Sequence, residues 1–162
     1  MQPPLFYVRF EPGWWVPSAM STVLSLVAGI AIGAAEDVGL PLLLVVAVGF
    51  AGPLVEGLAH ELAHAGLSLL FGVRTYGIIF HMEGAEADID RFPRSAVGRW
   101  AVALAGPAVS AAVCVGAVRW AFSTDAGWEW IAALTGPLFI ACFGLIGSFG
   151  DDGDVGRARW ER

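Results

Sequence analysis

Charge is what this chain lacks most. Only 15% of its 162 residues are Asp, Glu, Lys or Arg, against about 25% in a soluble globular protein. Hydrophobic residues make up 57% and mean hydropathy is +0.68. Nine basic and fifteen acidic side chains cannot cover an aqueous surface of this size, which excludes a soluble enzyme, a disordered segment and a collagen-like fibre. Lysine is absent: all nine basic residues are Arg, and the net charge is −6. With no basic face to neutralise phosphates, nucleic acid is excluded as a partner. There are two cysteines, Cys114 and Cys142. Both fall in apolar runs without metal-ligand spacing, so they read as small hydrophobes. The sequence shows no internal repeat, low-complexity tract or soluble second domain.

Long apolar runs are abundant. A bilayer crossing needs about 20 mostly apolar residues, and the sequence supplies four, at about 19–35, 38–71, 100–120 and 129–150. The second, taken to Val73, would measure roughly 54 Å as helix, too long for one straight crossing. A kink at Gly52-Pro53 is expected, with the far end protruding. Trp14, Trp15, Trp100, Trp120, Trp128 and Trp130 stand at span ends, where interfacial belts form. Gly33-Ala34-Ala35 resembles a signal cleavage site, but the run is long for a signal and its leader holds one Arg, so the first span is expected to be retained.

Charges between the spans set the orientation. Glu36 and Asp37 lie between spans one and two, whereas Arg74, Arg91, Arg94 and Arg99 lie between two and three, and Arg157, Arg159 and Arg162 in the tail. The positive-inside rule then places both termini and segment 72–99 in the cytoplasm. In that segment Gly77-Ile78-Ile79-Phe80-His81-Met82 is strand-like and 83–90 turns acidic, which predicts a short hairpin. The expected fold is an all-α integral membrane protein of four transmembrane helices, in one domain over 1–162, with a short cytoplasmic β-like hairpin after the second. The expected location is the plasma membrane, with the lipid bilayer as partner.

Chemistry concentrates in one place. His60-Glu61-Leu62-Ala63-His64 has the form H-E-x-x-H and holds two of the chain's three histidines. Positions i and i+4 share a helix face, so His60 and His64 can hold one metal ion, with Glu61 beside it as general base. Zinc lowers the pKa of a bound water to about 7, which makes such a base effective at neutral pH. Two packed histidines would be the bland reading, but ionisable residues within a span are costly. Glu56, four residues earlier, completes one stripe with His60 and His64. It is a hydrogen-bond partner of His60, a carboxylate facing a water-filled cavity, or a direct ligand. A catalytic zinc needs a third protein ligand. Asp151 and Asp152 follow span four directly, where acidic residues oppose the helix macrodipole. His81 is the rival, or a polar residue near the site.

These residues resemble the site-2 protease family of intramembrane zinc metallopeptidases. The resemblance covers about residues 50–155. It rests on His60-Glu61-Leu62-Ala63-His64-Ala65, then Phe71-Gly72-Val73-Arg74, the strand-like Ile78-Ile79-Phe80, Ala103-Leu104-Ala105-Gly106-Pro107-Ala108 in span three, and Asp152-Gly153 after span four. It implies zinc held by His60, His64 and that carboxylate, Glu61 as base, and an extended substrate segment beside the strand after the motif helix. Gly144 and Gly147 stand where the family's last motif carries Asn and Pro, so substrate positioning must differ. A related group of small membrane zincins carries Gly-Ser-x-Gly-Asp, which would select Asp151 instead of Asp152. The expected function is hydrolysis of peptide bonds in or near transmembrane segments of membrane-protein substrates. The alternatives are a non-catalytic, zinc-containing membrane interaction protein, which has no need of Glu61, and a metal or ion transporter, for which inverted halves are missing.

Overall fold

The structure is a computed structural model in which residues 6–36, 39–123, 127–150 and 155 are described. The chain is mostly helical. A short strand, β1 (Tyr7–Phe10), precedes α1 (Val16–Glu36) and α2 (Leu42–Leu70). Strands β2 (Thr75–His81) and β3 (Gly84–Ile89) follow, then α3 (Ala96–Ser123) and α4 (Trp128–Ser148). All four helices are long and apolar enough to cross a membrane, as the sequence led us to expect. Apolar segments in lipid form helices because only a helix pairs every backbone amide within one segment.

Small residues face inward and large ones outward. Ser18, Ser21 and Ser25 of α1 are fully buried, while Val23, Val27 and Ile30 are exposed. A Cβ on Gly136 of α4 would lie 1.9 Å from the Ser21 carbonyl oxygen, and one on Gly52 of α2 would lie 2.6 Å from Cγ of Pro137. Close backbone approach through small residues is how helices associate where lipid removes the hydrophobic driving force.

Proline inside these helices is tolerated because neighbours satisfy what it frees. Pro137 has no N–H, so the Ala133 carbonyl one turn earlier loses its helical donor. The Ser25 hydroxyl on α1 donates to that carbonyl at 2.9 Å, and Ser25 Oγ accepts the Gly136 N–H at 3.0 Å. Pro53 does not end α2, which continues as a single 29-residue helix of about 43 Å. The end of α2 is set instead by Gly72, at φ 71°. The Val73 N–H bonds to the Ser68 carbonyl at 2.9 Å and the Gly72 N–H to that of Leu69 at 3.0 Å. That is a Schellman stop, which needs a left-handed residue where glycine carries no Cβ penalty.

The expected hairpin is present as β2 and β3, antiparallel with Phe80 opposite Ala85. The all-α expectation needs correcting here, because the sheet has three strands in the order β1-β2-β3. β1 pairs parallel to β2, Tyr7 beside Gly77 and Phe10 beside Phe80. The Tyr7 ring lies over Gly77, where a Cβ would come within 2.7 Å of it. Its hydroxyl donates to the Asp88 carboxylate on β3, so one side chain straps all three strands. Phe80 and Ala85 pack on Gly57 of α2, which brings the sheet against the motif helix.

Candidate metal centre

The α2 helix places Glu56, His60 and His64 on one stripe, and α3 receives it. Gly106 is the contact point. A Cβ there would lie 2.3 Å from His60 Nε2 and 2.3 Å from His64 Nε2. Any other residue would fill the space that both nitrogens face. The two rings lie 4.9 Å apart, centroid to centroid.

The opposite ring nitrogens are tied down by α3. His64 Nδ1 lies 2.7 Å from the Val102 carbonyl oxygen. A carbonyl only accepts, so Nδ1 carries the hydrogen, and in the neutral ring Nε2 keeps its lone pair. His60 Nδ1 lies 2.7 Å from Ser110 Oγ. Ser110 donates its only hydroxyl hydrogen to a Glu56 carboxylate oxygen, so its Oγ receives the His60 Nδ1–H. Both imidazoles therefore present Nε2 lone pairs to the space at Gly106. This is the tautomer a metal-binding histidine uses, with the other nitrogen donating to a carbonyl or carboxylate-linked group. Two imidazole nitrogens meeting at a glycine are donors of the kind a zinc ion takes.

Glu61 is 6% exposed, and its Oε1 lies 3.9 Å from His60 Nε2. It stands between two cavities. One, of about 490 Å³, is lined by His60, Glu61 and Glu56 together with Phe80, Gly144 and Gly147. The other, of about 90 Å³, is lined by Glu61, His64, Val102 and the β3 residues Ala85, Glu86 and Ala87.

The structure thus brings His60, Glu61, His64 and Glu56 together. Glu56 reaches His60 through Ser110, where a direct bond was one of the sequence expectations. His81, at the end of β2, lines the larger cavity, and its Nδ1 accepts the Glu83 N–H at 3.3 Å. Among the described residues, no three His, Cys, Asp or Glu side chains form a metal-holding group. Asp151 and Asp152, the expected third ligands, lie outside the described residues. Cys114 and Cys142 are free thiols. Sequence reasoning missed Ser110 and Val102. The first had a signal, being the only hydroxyl residue between Trp100 and Val118. The second acts through its carbonyl, which no side-chain pattern reveals.

Compared with protein-family models, curated proteins and solved structures, the chain matches none of them.

Proposed function

We propose that the protein is a minimal intramembrane zinc metallopeptidase of the site-2 protease type. The reading rests on one observation: α3 fixes both motif histidines with Nε2 toward a shared space at Gly106, and the buried Glu61 stands beside it. His60 and His64 would hold the ion, with Asp152 or Asp151 as third ligand. Bound zinc supplies Lewis acidity.

The chain's own residues do the rest. The Glu61 carboxylate takes a proton from the attacking water and delivers it to the leaving amine. Ser110 and Glu56 hold His60 in its metal-binding tautomer and offset the charge gathered there. A substrate helix must unwind before attack, because its amides are already paired. β3 is an edge strand, and its Ala85, Glu86 and Ala87 line the smaller cavity with Glu61 and His64. An extended segment beside β3 would therefore pass next to Glu61, with backbone pairing for the bonds it lost on unwinding. The proposed orientation follows the arginines, with both termini and segment 72–99 on the cytoplasmic side, in the plasma membrane.

The test is a pair of measurements on purified protein in lipid. Wild type should carry about one zinc per chain and cleave a membrane-protein substrate. Glu61→Gln should keep the zinc and lose about 10²–10⁴-fold in cleavage rate. Undiminished cleavage by zinc-loaded Glu61→Gln would refute the mechanism. Zinc movement into vesicles without peptide fragments would establish the transporter instead.

A further inference from the structure

β1 carries an apolar stripe with no role in the site. Val8 and Phe10 in the strand and Phe6 just before it alternate with Tyr7 and Arg9 and are 48%, 53% and 52% exposed. A period of two puts them on one face, with Tyr7 and Arg9 on the other. The register of Val8 with Ile78 and Phe10 with Phe80 makes this face a continuation of the one that packs on α2, where Ile78 and Phe80 are buried. The stripe therefore overhangs the edge of the packed sheet. It is also continuous with the apolar exterior of the helices. The Phe10 ring lies 4.9 Å from Trp14, and Trp14 lies 6.4 Å from Phe50 on α2.

Levels along the helices say what meets this stripe. Trp100 and Trp120 mark the two ends of the α3 span, separated by about 30 Å, the hydrocarbon thickness. The Trp120 ring packs against Trp130 at 5.4 Å, so both belong to one belt. A Cβ on Gly29 of α1 would meet Ala132 of α4 at 3.6 Å, which puts Gly29 about 3 Å inside that belt. Val16, at the other end of α1, is then about 22 Å from it, roughly 8 Å short of the Trp100 level. α1 begins beneath the opposite membrane surface. Gly13, just before it, is packed against Met82 at the hairpin tip, so the tip is also submerged. From Phe10 back to Tyr7, β1 climbs about 10 Å, and Phe6 continues it through the layer between hydrocarbon and headgroups.

We propose that the Phe6, Val8 and Phe10 face of β1 is a lipid-contacting surface, which seats the sheet in the leaflet on the site's side of the membrane. Unpaired backbone at the outer edge of β1 is not satisfied by hydrocarbon. The strand accordingly lies at the headgroup boundary, with its apolar face toward the acyl chains and its edge hydrated. Amphipathic segments bind at that depth, about 5–10 Å into the boundary. The opposite face carries exposed Arg9, whose guanidinium pairs with half-buried Glu11 at 2.5 Å, as a water-facing surface would. The consequence is that β3 and Glu61 work at the depth of the leaflet boundary, where a substrate helix end unwinds.

The inference rests on the four helices spanning a bilayer, and the experiment separates the two ideas. Single-cysteine variants Val8→Cys, Arg9→Cys, Phe10→Cys and Phe143→Cys are made in full-length Cys114→Ala, Cys142→Ala protein and spin-labelled in phosphatidylcholine/phosphatidylglycerol nanodiscs. Collisions with oxygen report lipid, and collisions with a water-soluble nickel chelate report water. Phe143, 71% exposed on α4, is the span control. Labels at 8 and 10 should favour oxygen as 143 does, and the label at 9 should favour nickel. Nickel access at 8 and 10 equal to that at 9, with 143 in lipid, overturns the lipid surface alone. Exclusion of both reagents at 8 and 10 shows that protein covers the face and overturns it too. Nickel access at 143 overturns the spanning helices and, with them, this inference.

Discussion

Ser110 on α3 donates its hydroxyl hydrogen to Glu56 on α2, and that bond decides which nitrogen of His60 carries a proton. Without it, Ser110 could donate to Nδ1 and leave the hydrogen on Nε2, where it would oppose a metal. Ser110→Ala should weaken zinc affinity by about 10–100-fold, measured by competition with a chromophoric chelator. Ser110→Thr retains the hydroxyl and should recover most of it. Equal affinity in wild type and Ser110→Ala would show that Glu56 and Ser110 do not orient His60.

Gly106→Ala puts a methyl group 2.3 Å from both Nε2 atoms. Overpacking of this kind costs about 1–3 kcal/mol, and either the imidazoles turn or α3 withdraws. Zinc per chain should fall sharply. Gly116→Ala on the same helix meets nothing within 4 Å and should leave zinc content unchanged. Full zinc in Gly106→Ala would mean that the two nitrogens do not meet at this glycine.

For the third ligand, either Asp151→Ala or Asp152→Ala should reduce zinc content far more than the other, because adjacent side chains diverge and only one can point at the motif helix. Elemental analysis of the two variants decides it. If neither matters and His81→Ala does, the ligand comes from the end of β2.

Tyr7 gives a pH prediction outside the spans. Its hydrogen bond to Asp88, followed by desolvation and the charge of that carboxylate, raises its pKa above the ordinary 10.0. A raised phenol pKa favours the neutral form in the folded chain. The stabilisation is complete below pH about 10 and is lost as pH rises through the higher folded value. Tyrosinate absorbance should show Tyr7 titrating later than in Asp88→Asn. Coincident titration curves would remove the strap from solution.

Much of this protein was legible in its residue pattern. The four long apolar helices were, because a run of about twenty apolar residues has one backbone solution that leaves no amide unpaired in lipid. The shared face of His60 and His64 was, because i and i+4 lie together wherever the helix lies. The β2–β3 hairpin was, because its partners are close in sequence. β1 was not. The alternation of Phe6, Val8 and Phe10 is plain, but a strand needs a partner, and this one lies some seventy residues away. Only the packed chain supplies it. Likewise, the sequence could nominate Glu56 as a partner of His60 but not interpose Ser110. It could name Ala105-Gly106-Pro107 but not reveal that Gly106 is where two imidazoles meet. Periodicity along one helix fixes which side chains share a face. What that face meets depends on how two helices cross, and the crossing is set by the glycines and serines that let their backbones touch.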